Sequence, residues 1–261
     1  MYSTGSPEFT GLRGCLAGID PKPDPGHAGG GIVQEHIVIV SGSAPLPERA
    51  LQNIPDEAIL LAADGGLDHA LAAGLRPSGV IGDFDSMSVE AMAWAEAHAT
   101  IARHPADKDA TDTELALAFA ADMNPARITL VGGGDRLDHT IAAIGALGAA
   151  DLTHIPILEG WWNNQHVDVI HGPERSLLHL EPGSSLSILA LHGPIRGLSV
   201  RGVRWPLEGA ELSPVVGHGI SNDVLLERYD DHAPGEIQVE LSKGVATIFN
   251  SPAQQTGSDP T

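Results

Sequence analysis

A chain of 261 residues with 42% apolar content can bury one large core or two modest ones. No run approaches the roughly 18–20 apolar residues of a membrane span. The net charge of −20 excludes a broad nucleic-acid surface, which needs clustered Lys and Arg to neutralise phosphates.

Residues 1–31 are turn-rich and aperiodic and are expected to form a disordered leader. The stretch Gly5-Ser6-Pro7-Glu8-Phe9 resembles a cloning scar, so this segment is set aside from fold reasoning. The N-terminus carries no basic region leading into an apolar signal segment, and a cytoplasmic location is expected. The single cysteine, Cys15, excludes a disulfide framework or thiolate zinc site, and the 13 histidines show no metal-site spacing.

From Ile37 onward, short apolar runs alternate with helical stretches. Strands are predicted at Ile37 to Val40, Ile59 to Ala63, Val80-Ile81 and Ile128 to Val131. Helices are predicted near Leu67 to Ala73, Val89 to Ala99, Thr113 to Met123 and His139 to Ala149. Parallel strands with crossover helices fit this alternation. Ligands of such sheets sit beyond the carboxyl ends of the strands, where Asp64, Asp83, Asp85 and Asp138 fall. After about His171 the texture changes to β alternation with Gly and Pro turns, as in Ser185 to Leu189 and Ile237 to Leu241. Lys243-Gly244 is expected to turn the chain into Val245 to Phe249 and close a terminal hairpin. The expected divisions are 32–171, 172–250 and a flexible tail over 251–261.

Three acidic clusters carry the chemistry: Gly82-Asp83-Phe84-Asp85-Ser86, Asp107-Lys108-Asp109-Ala110-Thr111-Asp112 and Gly133-Gly134-Asp135-Arg136-Leu137-Asp138-His139. Two carboxylates about 4 Å apart repel by roughly 4 kcal/mol at an effective dielectric of 20, so gathering them calls for a cation. Hard oxygen ligands on loops suit Mg²⁺, with Mn²⁺ also open. Helix capping is the competing explanation. Thr111 and Glu114 have capping-box spacing, and Asp135 could cap the helix that follows. Capping leaves unexplained the Asp83 and Asp85 pair after a strand, and the placing of one of three lysines between Asp107 and Asp109. There is no Walker loop, and no dinucleotide fingerprint follows the first strand. An aspartyl-phosphatase reading of Asp83-Phe84-Asp85 meets Met87 where that pattern requires Thr or Val.

Taken in order, Ala63-Asp64-Gly65-Gly66, Ile81-Gly82-Asp83-Phe84-Asp85-Ser86, Asp107 to Asp112, Gly134-Asp135-Arg136-Leu137-Asp138-His139 and Gly219-Ile220-Ser221-Asn222 resemble the thiamine pyrophosphokinase family. The resemblance runs from about Ile37 to Phe249. It implies a Rossmann-like N-terminal α/β domain with a parallel sheet, a smaller C-terminal antiparallel β-sandwich, and a homodimer. It also implies transfer of the pyrophosphoryl group of ATP to thiamine with release of AMP. Asp83, Asp85 and Asp112 match the family's metal-binding acids. Lys108, Arg136 and Asp138 match positions lining nucleotide and phosphates, and Asp64, Gly65, Asp109, Thr111 and His139 join them as ATP-binding candidates. The sequence departs from the family pattern at Asp135, where Gly is common, and at Ala143, where Asn is common.

The same resemblance matches Trp205 to a tryptophan of the thiamine pocket, where an indole could stack on a cationic thiazolium. A core tryptophan is the other reading of Trp205. Ser221 and Asn222 could hydrogen-bond the pyrimidine edge, or simply form a turn. Asp64 could end its strand in a turn, and His139 could only begin a helix. Trp161, Trp162, Asn163 and Asn164 receive no role, and no residue stands out as general base. Two rival functions remain open: a non-catalytic nucleotide or thiamine-binding regulatory module, and a metal-dependent phosphohydrolase.

Overall fold

The structure is a computed structural model that describes residues 35–42, 44–132, 136–214 and 216–253. The expected leader, Cys15, Asp135 and its capping role, and most of the expected tail lie outside the described residues.

The first half alternates strand and helix as the periodicity predicts, with two strands, at Thr100–Arg103 and Ile157–Trp162, and one helix, at Glu48–Leu51, beyond those predicted. The strands are β1 (His36–Ser41), β2 (Ile59–Ala63), β3 (Gly79–Gly82), β4 (Thr100–Arg103), β5 (Arg127–Gly132) and β6 (Ile157–Trp162). Between them run α1 (Glu48–Leu51), α2 (Gly66–Ala72), α3 (Val89–His98), α4 (Asp112–Asp122) and α5 (Leu137–Leu147). All six strands pair in parallel, in the spatial order β6-β5-β1-β2-β3-β4. The chain therefore reverses its direction of travel across the sheet at β1 and β5.

Successive residues of a strand point to opposite faces, and the apolar clusters divide accordingly. Ile37, Ile39, Leu61, Ile81, Ile128 and Leu130 pack under α4 and α5 through Leu115, Leu117, Phe119, Ile144 and Leu147. On the other face Ala62 and Val80 meet Leu67, Ala91 and Ala95 of α2 and α3, and Val38 and Val131 meet Ala50 of α1. Full burial of one such Ile or Leu is worth about 1.5–3 kcal/mol.

Helix starts are set by side-chain caps. Thr111 Oγ1 accepts from the Glu114 N–H at 3.2 Å, and Glu114 Oε2 accepts from the Thr111 N–H at 2.7 Å, forming the capping box read from the sequence. A cap of this type contributes about 1 kcal/mol. Ser88 caps α3 by accepting from Ala91 N–H at 3.0 Å, and it is itself held by Asp68 of α2.

Past β6 the large sheet does not stop. β7 (Gln165–His171), β14 (Val245–Ser251), β9 (Ser185–Leu189) and β12 (Asn222–Asp223) extend it antiparallel to ten strands. A separate antiparallel sheet has the order β11 (Leu207–Leu212), β10 (Ile195–Arg201), β13 (Glu236–Leu241), β8 (Glu174–His179). Ile188, Ile248 and Ile170 of the large sheet share one apolar cluster with Leu198, Val200, Ile237 and Val239 of the small one.

The predicted terminal hairpin is wrong. β13 pairs with β10 and β8, whereas β14 pairs with β7 and β9, so residues 242–244 carry the chain from one sheet to the other. The Ser242 and Lys243 N–H groups both reach the Arg196 carbonyl, and Gly172 N–H donates to the Gly244 carbonyl. Gly244 makes the crossing at φ +100°, and a Cβ there would lie 2.6 Å from the Pro194 oxygen. The Lys-Gly pair signals a sharp change of direction in sequence, but which neighbour the next strand finds is decided by the core it completes. Among the described residues no helix is long and apolar enough to cross a membrane.

Candidate active site

Three loops at the carboxyl ends of β2, β3 and β4 bring the acidic residues together. Asp64 follows β2 at φ 44° and Phe84 follows β3 at φ 70°. These left-handed turns fold each loop back sharply at a cost of about 1–2 kcal/mol for a residue with a Cβ, a local strain that functional loops commonly hold. Asp112 opens α4 directly after its cap.

Carboxylate oxygens of Asp64, Asp83 and Asp112 lie within 4.8 Å of one another. Lys108 clamps two of them, with Nζ donating to Asp83 Oδ2 at 3.0 Å and to Asp112 Oδ1 at 2.7 Å. Asp83 Oδ1 also accepts from the Asp85 N–H at 3.2 Å. The Lys108 hydrogen bond, seconded by that N–H, lowers the Asp83 pKa. Burial alone would lower the Lys108 pKa, but its bonds to Asp112 and Asp83 outweigh it and raise the value. Asp85 is exposed beside the trio, and the negative charges of Asp83 first and Asp64 next raise its pKa.

Asp64 is the buried member, 8% exposed. Its Oδ2 accepts from the Ser86 hydroxyl, while its Oδ1 is buried and accepts no hydrogen bond. A buried carboxylate oxygen without a donor costs on the order of 1–3 kcal/mol, so this atom calls for a partner. Sequence reasoning placed Asp64 with the nucleotide; the structure puts its carboxylate in the convergent trio, and Asp85 outside it.

Asp64 and Asp112 open into a cleft of about 780 Å³, also lined by Gly65, Asp85, Thr111, Arg136 and His139 among the expected residues, whereas Asp83, Lys108 and Asp138 do not line it. Arg136 sits at the start of α5 and pairs with Asp138 at 2.7 Å, which lowers the Asp138 pKa. His139 lies in the first turn of that helix. Asp109 is exposed on the loop before α4 and does not line the cleft.

Trp162, given no role from sequence, also lines this cleft and is buried. It ends β6 beside Gly132 of β5, where a Cβ would lie 2.4 Å from the indole nitrogen. A Cβ on Gly160 would come within 2.6 Å of the same ring. Two glycines on adjacent strands thus make a slot for the indole. That pairing requires the register of β5 against β6, which no motif announces.

Trp205 is 53% exposed, which removes the core reading for it. One ring face carries the Arg204 guanidinium, 4.7 Å from the centroid. Asn222 fixes the Trp205 backbone from both sides: its Oδ1 accepts from Trp205 N–H at 3.0 Å and its Nδ2 donates to the Trp205 carbonyl at 2.7 Å. Ser221 stands next to it at φ 59°, its N–H bonded to Ser187 Oγ. Trp205, Ser221 and Asn222 therefore form one local platform, but none of them lines the acidic cleft of the same chain.

Comparison with known proteins gives a consistent picture. Residues 51–158 match the family profile described as thiamin pyrophosphokinase, catalytic domain. The chain is 29% identical over 218 residues to the thiamine pyrophosphokinase of Bacillus subtilis (strain 168), covering 82% of this chain and 98% of that protein. The crystal structure of a thiamine pyrophosphokinase from Bacillus subtilis superposes with a TM-score of 0.68 at 22% identity, covering 83% of this chain and 99% of that one. A thiamin pyrophosphokinase from Candida albicans gives 0.65 at 16% identity, covering 83% and 90%.

Proposed function

This chain belongs to the thiamine pyrophosphokinase family, and we propose that it transfers the pyrophosphoryl group of ATP to the hydroxyethyl oxygen of thiamine, releasing AMP. The thiamine oxygen bonds to the β-phosphorus as the bond from that phosphorus to the oxygen retained by AMP breaks. The observation that carries the site assignment is the convergence of Asp64, Asp83 and Asp112, with Lys108 clamped between two of them.

Hard oxygen donors with one orphaned buried oxygen, Asp64 Oδ1, fit a divalent metal of the Mg²⁺ type. Asp64, Asp83 and Asp112 would hold it, with Asp85 at the solvent edge. When bound, such a metal neutralises polyphosphate charge. Lys108, bonded to Asp83 and Asp112, would offer its ammonium charge to phosphate oxygens beside them, and Arg136 would add a second cation from the start of α5. Chemistry of this kind depends mainly on positioning and charge neutralisation, so the chain needs no covalent nucleophile of its own.

In this reading residues 32–171 form the Rossmann-like ATP domain and residues 172–250 a β-sandwich that presents Trp205 and Ser221 to thiamine. Because that platform stands apart from the cleft of its own chain, we place it over the cleft of a second copy in a homodimer. Sedimentation at micromolar concentration should give a dimer, and a fully active monomer would rule out a shared site. Incubation with ATP, thiamine and Mg²⁺ should yield AMP and thiamine diphosphate in equal amounts, with no turnover when thiamine or metal is left out. ADP or thiamine monophosphate as product would overturn the assignment.

A further inference from the structure

A second group of ligand-type side chains lies on the far face of the large sheet from Trp162. β6 and β7 pair so that Glu159 stands opposite Asp168 and Trp161 opposite His166, and these side chains share one face of the hairpin. One ligand atom each from Glu159, His166 and Asp168 falls within a 4.8 Å span. The group is sheltered: the Asp168, Glu159 and His166 side chains are 13%, 12% and 18% exposed. The Trp161 ring covers the imidazole at 4.6 Å.

The Glu159 carboxylate is held from behind, with Arg127 Nη1 3.6 Å from its Oε1. Glu159 Oε1 accepts from Thr129 Oγ1 at 2.6 Å, and His36 Nε2 lies 2.7 Å from that hydroxyl oxygen. Glu159 Oε2 faces His166 Nε2 at 3.5 Å. Asp168 Oδ2 lies 3.2 Å from His166 Nδ1 yet accepts no hydrogen bond, a buried oxygen aimed into the group without a donor in line. Buried carboxylate oxygens are rarely left so, and the usual remedies are a donor, a water or a cation.

One imidazole nitrogen and two carboxylates make a mixed nitrogen and oxygen donor set, which suits ions of the zinc class better than Mg²⁺. Thr129 and His36 behind Glu159 resemble the outer hydrogen-bonding shell that orients metal-binding carboxylates. We propose that Glu159, His166 and Asp168 bind one divalent transition-metal ion, separate from the acidic cleft. The ion would clip β6 to β7 across the hairpin and so brace the strand that ends in Trp162.

The test uses the 261-residue chain with Asp64→Asn, Asp83→Asn and Asp112→Asn, so that the three convergent carboxylates are neutralised and catalysis plays no part. Stripped of metal and titrated with Co²⁺, this protein should bind one equivalent with the visible absorption of nitrogen- and oxygen-ligated cobalt. Zn²⁺ should displace that signal and raise the melting temperature. Adding His166→Gln should abolish both effects while circular dichroism stays unchanged. If that variant does not fold, Asp168→Asn replaces it and the same losses are expected. Failure of the parent to bind Co²⁺, or binding that survives these substitutions in folded protein, would overturn the proposal.

Discussion

Asp64→Asn should lower turnover about 10²–10³-fold, the range seen when one preorganised electrostatic group is removed from an active site. The effect should equal that of Asp83→Asn or Asp112→Asn and exceed that of Asp85→Asn. Asp64, Asp83 and Asp112 converge, whereas Asp85 stands exposed at the edge. Asparagine keeps the shape of Asp64 and an oxygen for the Ser86 hydroxyl, so the loop should stay in place while the charge at the buried Oδ1 is lost.

Metal dependence separates this role from a merely structural one. If Asp64 helps to hold the metal, the variant should need a much higher Mg²⁺ concentration for half-maximal rate, with the thiamine KM little changed. Melting temperature should not fall, because a buried carboxylate with one unsatisfied oxygen is replaced by a neutral amide. A variant with wild-type turnover and metal requirement would remove Asp64 from the site and leave its convergence with Asp83 and Asp112 as packing. Equal losses for Asp85 and Asp64 would instead return Asp85 to the ligand set read from the sequence.

The sequence carried the first half of the fold in its periodicity, because parallel strands buried on both faces are short apolar runs and their helices are bounded by caps such as Thr111. Motif order likewise singled out Asp64, Asp83 and Asp112, whose carboxylates the structure brings together. The convergence of Asp64 with Asp83 and Asp112 depends on a left-handed turn at Asp64, which no pattern of letters encodes. Trp162 and the Glu159, His166, Asp168 group depend on the register of β5, β6 and β7, which pair through residues with no shared motif. The hairpin expected at Lys243-Gly244 failed for the opposite reason. A true local turn signal was read as a pairing, and pairing is a property of the whole core.

Trp205→Ala should raise the thiamine KM roughly 5–30-fold, the equivalent of about 1–2 kcal/mol of lost stacking, and leave the ATP KM nearly unchanged. Two features make the experiment clean. The ring is more than half exposed, so its removal should move the melting temperature little, as is usual for surface substitutions. The Asn222 bonds that hold the loop go to the Trp205 backbone, which alanine retains. One ring face already carries Arg204, so a cationic thiazolium would use the opposite face. A rise in the ATP KM alone would defeat the acceptor role. A parallel rise in both KM values with an unchanged melting temperature would mean that the platform closes the cleft of a neighbouring subunit as a whole, and the dimer's sedimentation would then be expected to weaken in the same variant. If thiamine stacks on Trp205 alone, the dimer should persist and only the acceptor constant should move.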